Sequence, residues 1–461
     1  MTTPYKSSKK QKPKKVVFDE SWEKINPNAA GLDIGARDIY AAVPPRLDPK
    51  PVRRFGTKTP DLENLALWLK ECGIETVAME ATGVYWIGAY QLLERKGFKV
   101  VLVNPRQVKN VSGKKSDVMD CQWIQKLHTF GLLGASFRPA DPYCVARTYM
   151  RLRDDLISGA TTQIHLMQKA MVQMNVQLTQ VLTDVTGMSG MAIIEAIIAG
   201  ERDPIALAEL ASRRVKSSRD EIAKALIGDW RAEHLFCLGQ AYRMYLKYQA
   251  DIAECDQKLT AELEQLPSKV DPKLKPMPPK LDRKKEITES MRLALYCKFG
   301  VDVTAIEGIG PTAALTLLTE VGADLSGFRS DKNFCSWLGL CPDNRITGGK
   351  VISSHTRRVV NRLADVLRMG ATTLRNSKTA LGAYYRRMHA RLGPAKAVTA
   401  VAHKLARLLY SLIKNGHEYL RMGMQEYEKK HTDYQMRKLT KMAEDLGVTI
   451  IKSQQVTPGV S

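Results

Sequence analysis

Short apolar runs of strand length alternate with helical spacing between residues 25 and 140. The run "AAGLDIGARDIYAAV" at 29–43 reads as two strands joined by a tight glycine-containing turn. "ETVAME" at 75–80 and "FKVVLVN" at 98–104 read as two more. Between these, "YWIGAYQLLERKG" carries apolar residues at helical intervals and stops at Gly97. Strands alternating with helices imply an α/β sheet domain, placed here at 25–144. In such a sheet an ionised carboxylate within a strand costs free energy unless a partner or a metal ion compensates it.

The rest of the chain reads differently. Long helical patterns dominate 145–266, and Tyr245, Tyr248, Ile252, Cys255, Leu259 and Leu263 recur at near-heptad spacing. That stripe suggests a helical or coiled-coil arm, packed either within the chain or against a second copy. Residues 267–299 open on "PSKVDPKLKPMPPK", with five prolines, and read as a linker. "IEGIGPTAALTLLTEVG" opens a compact, basic, mostly helical domain at 300–425, followed by a polar tail at 426–461. Residues 1–24 begin with "MTTPYKSSKKQKPKK", six lysines and no acid. They read as a disordered basic tail, phosphate-binding or merely solubilising. The expected fold is therefore α/β plus α.

The formal net charge of +22 over 461 residues favours a polyanionic partner, with nucleic acid preferred over an anionic membrane. No run reaches the ~18–20 uncharged apolar residues of a membrane span, and the N-terminus lacks the apolar core of a signal peptide. The eight cysteines are scattered with no CxxC, which suits a reducing cytosol without disulfides or a zinc site.

Four acids then stand out. Asp33 lies mid-strand in "GLDIG", and Glu80 ends the strand in "VAMEATG". Asp117 and Asp120, in "KKSDVMDCQWI", share one helix face near its positive end. Singly, Asp33 could be a turn residue and Asp117 a helix cap. Together they could form an oxygen-rich site for Mg²⁺, suited to phosphodiester displacement.

"GLDIG", "AMEATGVYW", "VNPRQVKN" and "KSDVMD" resemble the N-terminal domain of the DEDD transposases of bacterial insertion sequences, relatives of the pilin-gene inversion recombinases. The resemblance covers about 25–140 and again about 300–420. It implies a RuvC-like, ribonuclease-H-like fold with Asp33, Glu80, Asp117 and Asp120 as the Mg²⁺-binding catalytic tetrad. It further implies a bacterial, cytoplasmic, nucleoid-associated recombinase acting on element ends and target DNA as a dimer or tetramer. A structured non-coding RNA is implied as a guide; composition merely permits it.

Before the Asp117 helix, Arg106, Lys109, Lys114 and Lys115 either hold the scissile strand by its phosphates or form a solvated loop. In "EGIGPTAA", Gly308 and Gly310 allow close approach of backbone N–H groups to a phosphate, or serve a plain helix–helix turn. From Arg345 to Lys414 there are fifteen Lys or Arg residues and one acid, Asp365. The family carries a nucleophilic serine before a glycine after "WLGL.P". Here that position, in "SWLGLCPDNRITGGK", falls on Thr347. A threonine hydroxyl can attack phosphorus, though its β-methyl crowds the approach. Ser353 or Ser354 could replace it, or the hydroxyls could only bind phosphate. No carboxylate or histidine lies immediately beside Thr347, so activation would come from the metals. Arg345, Lys350, Arg357 and Arg358 would neutralise the phosphate. The alternatives are a metal-dependent Holliday-junction nuclease with no covalent step, and a non-catalytic DNA/RNA-binding protein.

Overall fold

Strand β1 (Ala29–Ile34) carries four residues with no exposed surface or nearly so, and the N-terminal unit is built around it. This computed structural model describes residues 22–81, 83–108, 117–277, 289–357 and 359–448. It divides the chain into two compact units, 1–138 and 139–461.

In the first unit β2 (Asp38–Ala42) and β3 (Val52–Gly56) continue from β1 as antiparallel strands. After α1 (Thr59–Glu71), β4 (Thr76–Glu80) returns parallel to β1. Helix α2 (Trp86–Arg95) then leads to β5 (Lys99–Val103), parallel to β4. The sheet order is β3-β2-β1-β4-β5. Helices α3 (Pro105–Val108) and α4 (Asp117–Thr129) complete the unit. Strand and helix expectations at 29–43, 75–80, 86–97 and 98–104 are met. β3 and α1 were not anticipated. β3 is an edge strand whose Arg53 and Arg54 face out and pair with Asp48 (2.6 Å) and Asp38 (2.8 Å), a charged edge that discourages further strand pairing.

The period of two in a strand decides what each face meets. Leu32, Ile34, Val77 and Met79 pack with Leu65, Leu69 and Leu93 of α1 and α2. Their neighbours point to the opposite face, where Ala78 packs with Ile124 of α4. Asp33 and Glu80 alternate onto this second face. There α4 lies unusually close. A Cβ added at Gly31 would strike the Gln125 backbone nitrogen, and would lie 2.5 Å from the Cys121 carbonyl oxygen and 2.7 Å from Gln125 Cα. Hydrogen bonds fasten the far end of α4: buried His128 meets the Thr76 hydroxyl at 2.9 Å, and Asn26 donates to the His128 carbonyl at 2.8 Å.

In the second unit α5 (Asp141–Gln173) and α10 (Ala232–Gln265) pair as an antiparallel hairpin. Cys255 Sγ donates to the Tyr149 carbonyl at 3.1 Å, Arg153 pairs with Asp256, and the Tyr248 ring packs on Gly159. The stripe at 245–263 thus packs within the chain. Between the two long helices, α6 (Leu178–Val181), α7 (Met188–Ala199), α8 (Pro204–Glu209) and α9 (Arg219–Ala225) close a core that includes Met167, Met171, Ile193, Ile197 and Leu238.

A helical bundle follows: α11 (Glu289–Phe299), α12 (Pro311–Val321), α13 (Asp331–Trp337), α14 (Arg362–Thr373), α15 (Ala380–Leu392) and α16 (Pro394–Asp445), the last interrupted at Gly416. Helix α11 occupies the end of the segment read as a linker, and α16 runs into the segment read as a polar tail. Buried Arg292 and Asp302 neutralise one another beneath α12. Arg151 of α5 grips Glu320 of α12 through two bonds, 2.8 and 2.7 Å, and Arg362 of α14 reaches Asp154 (2.8 Å) and Asp155 (3.1 Å). No described helix is long and apolar enough to cross a membrane. All eight cysteines are free.

Because a backbone cannot yield as a side-chain tip can, Gly31→Ala should push α4 off the sheet. The expected cost is about 1–3 kcal/mol or more, read as a lowered midpoint in denaturant unfolding. An unchanged midpoint would show that α4 does not depend on this approach.

Candidate nucleic-acid-processing site

At the carboxyl end of the parallel strands, Asp33 follows Leu32, which is paired with Met79, and Glu80 follows Met79. The two acids therefore stand side by side on adjacent strands, both half-buried. The first turn of α4 supplies Asp117, exposed, and Asp120, half-buried. All four expected acids are thus brought to one end of the sheet, near enough for the charges of Glu80, Asp117 and Asp120 to act on Asp33. Burial first, and then the charges of Asp120, Asp117 and Glu80 in that order, raise the Asp33 carboxyl to about 6. Beside them, burial and the Asp33 charge push the Cys121 thiol up to about 12, which leaves it inert as a nucleophile.

An open cleft of about 490 Å³ runs from Asp33 and Asp117 along the β1–β2 turn to Arg37 and Tyr40. The donors are all hard oxygens, the kind Mg²⁺ takes, and their mutual repulsion is what a cation would relieve. The set fits the ion chemically. Among the described residues no three His, Cys, Asp or Glu side chains close into a metal-holding group.

Lys109, Lys114 and Lys115 lie outside the described residues. The Arg106 backbone belongs to α3, directly after β5 and its following Asn104, and its side chain is also outside them.

In the second unit the stretch 345–353 forms a hairpin. Strands β6 (Arg345–Thr347) and β7 (Lys350–Ser353) are joined by Gly348 (φ 55) and Gly349 (φ 77). Two successive positive φ values define the tight turn that matches strand twist, and glycine supplies them without strain. Thr347 stands opposite Lys350 across this turn, and both are exposed. Ser353 pairs with Arg345 at the other end, and Ser354 is exposed beyond it. Among the described residues no base is hydrogen-bonded to Thr347. His355 is exposed, and its carbonyl accepts from the Asp343 N–H at 2.8 Å. Arg357 turns away from the tip: its guanidinium donates to the Ser336 hydroxyl at 2.8 Å and to the Ser336 carbonyl, tying the hairpin base to α13. Arg358 and the Arg345 side chain lie outside the described residues.

Gly308 (φ 86) sits against Gly370 of α14, where a Cβ would meet the Gly370 carbonyl at 2.9 Å. Its position is explained by that packing. Gly310 precedes α12 as its N-cap, with open space around it.

Two family comparisons match this chain over complementary stretches. A transposase family matches residues 30–176, and the family described as "Transposase IS116/IS110/IS902 family" matches residues 302–386. Over both stretches the chain is similar to transposases of the IS110 type. The two family matches contain all four acids and Thr347 respectively. Individual relatives agree. "Putative transposase y4pF/y4sB" of Sinorhizobium fredii is 33% identical over 120 residues, 25% of this chain and 31% of that protein. "Probable family 20 transposase" of Pseudomonas aeruginosa is 31% identical over 124 residues, 24% of this chain and 33% of that protein. The chain matches about a third of the length of these relatives.

Arg37 and Tyr40, which the sequence pattern does not single out, share this cleft with Asp33 and Asp117. Their signal was faint: they fall within and just after a turn, and only the cleft relates them to Asp33.

The Asp33 shift has a pH consequence. Its folded value lies above the unfolded 3.8, so the folded state holds the extra proton between about 4 and 6. Stability from this group therefore falls as pH rises through that range. Buried His128, lowered to about 4 by burial and by Lys99, has the opposite slope, losing stability as pH falls below its ordinary 6.5. Comparing Asp33→Asn with the parent in EDTA cancels the histidine. The variant should gain about 1–2 kcal/mol relative to the parent between pH 4 and 7, a figure reduced for the half-exposed carboxylate. Urea titrations at each pH would show a level difference if Asp33 were not raised.

Proposed function

We propose that this chain is a DNA-cutting and -rejoining transposase with a ribonuclease-H-like N-terminal unit, acting through a carboxylate tetrad and a hydroxyl nucleophile. The observation that carries this reading is the meeting of Asp33, Glu80, Asp117 and Asp120 at one sheet end in a chain similar to these transposases. A five-stranded order β3-β2-β1-β4-β5, three strands antiparallel and two added in parallel, supports the fold assignment. The tetrad would hold Mg²⁺, which supplies charge stabilisation at the attacking and leaving oxygens of a phosphodiester.

The chain's own contributions are separate. Asp33 and Glu80 are fixed by rigid strands, so their geometry is set before substrate arrives. Thr347 presents its hydroxyl at a hairpin tip. Attack by Oγ1 on phosphorus would form a Thr–phosphate ester and release one sugar hydroxyl. Lys350, across the turn, would neutralise a phosphate oxygen. Arg357 would act indirectly, by anchoring the hairpin. Ser353 and Ser354, at the far end of β7, remain the alternative nucleophiles. Gly310, Arg106 and the basic residues around each site would hold phosphates, and binding should weaken with salt. A structured RNA guide, assembly into a dimer or tetramer and a cytoplasmic, nucleoid-associated location complete the proposal.

With element-end DNA, Mg²⁺ and its co-purifying RNA, the protein should form a covalent adduct that peptide mass spectrometry maps to Thr347. Thr347→Ser should retain the adduct, whereas Thr347→Ala should abolish it. Asp33→Asn should lower cleavage by roughly 10³-fold or more, and EDTA should abolish it. Nicking that needs Mg²⁺ but leaves no adduct would instead favour a nuclease without a covalent step, which the absence of a base bonded to Thr347 among the described residues also allows. Cleavage unchanged in EDTA would overturn the tetrad.

A further inference from the structure

The cleft at the tetrad has a wall that the acids do not explain. Carboxylates repel the phosphates of a nucleic-acid strand, so an acidic site that admits one needs cationic surface close by. The β1–β2 turn provides it. Gly35 N–H donates to the Asp38 carbonyl at 2.9 Å, which closes a tight turn and presents Arg37, exposed, to the cleft. The turn's own acid is already neutralised, because Asp38 is held by Arg54 at 2.8 Å. Arg37 itself makes no hydrogen bond or ion pair among the described residues. Its fork of donors therefore stands available in a space shared with Asp33 and Asp117. Tyr40 is the cross-strand neighbour of Asp33 and lines the same cleft, half-buried. Its ring thus lies within side-chain reach of the carboxylate.

We propose that the β1–β2 hairpin is a nucleotide-binding wall, on which Arg37 holds a phosphate of a single strand and the Tyr40 ring packs against the adjoining sugar or base. The size is suitable: about 490 Å³ falls in the range of small-ligand sites. An arginine fork matches phosphate geometry, and an aromatic face accepts any base, so the wall positions a strand without reading its sequence. This deepens the proposed function and rests on the reading of the acidic cluster as a strand-cutting site.

The test is calorimetric binding of thymidine 3′,5′-bisphosphate to the full chain in EDTA, where no cutting occurs. Arg37→Ala should weaken binding about tenfold or more, with partial recovery in Arg37→Lys. Arg54→Ala, which removes a cation already committed to Asp38, should change it by less than about twofold. Tyr40→Leu should weaken the nucleotide but leave inorganic phosphate binding unaltered. Arg37→Ala binding like the parent, an equal loss in Arg54→Ala, or no saturable binding by the parent would each overturn the proposal. DNA cleavage is scored in parallel with Mg²⁺. A parent that cuts while Arg37→Ala binds normally loses the wall and keeps the function. A parent that binds through Arg37 but never cuts keeps the wall and loses the function.

Discussion

The contact of α4 with β1 at Gly31 governs the N-terminal unit. A strand residue without a side chain lets a helix backbone come to the sheet closer than any other residue would allow. That approach sets the height of the whole helix, and with it the positions of Asp117 and Asp120 above Asp33. Repulsion among these acids opposes the arrangement, so something stronger must impose it. The Gly31 approach, the buried Ile124 contact and the His128–Thr76 bond do so from within the core. The four acids are therefore gathered by packing within the core and not by any attraction of their own.

Electrostatics divides the chain's work. The first unit gathers negative charge at one sheet end, while the second has a single acid between Arg345 and Lys414. Many of the bundle's cations are nonetheless structural: Arg357, Arg362 and Arg407 are bonded to Ser336, to Asp154 and Asp155, and to Asp331. Counting basic residues overstates the surface available to a polyanion, and the exposed, uncommitted cations such as Lys350 and Arg37 matter more than the total.

Much of the sheet was legible because apolar runs and a strand-embedded aspartate leave few alternatives. Asp33 and Glu80 could be placed on strands, and Asp117 and Asp120 on one helix face, from local pattern alone. What escaped was long-range. β3 reads as "VRRFG", too charged to look like a strand until Asp38 and Asp48 are seen to neutralise it. The heptad-like stripe from Tyr245 to Leu263 gave the right helix face but left open the identity of its partner, which is α5 of the same chain. The packing of Gly308 against Gly370 was likewise hidden, because the two lie far apart in sequence. Arg357 looked like its neighbours, and only Ser336 distinguishes it.

The hairpin that carries Thr347 leaves Ile346, Val351 and Ile352 more than half exposed. A two-stranded ribbon with so little packed against it is marginal in water and holds its tip only loosely. Arg357 fixes its root and not its end. With Thr347 as the proposed nucleophile, its hydroxyl would be aimed only once a partner surface covered the ribbon, so that latency would come from the scarcity of packing around the hairpin and not from a dedicated lid.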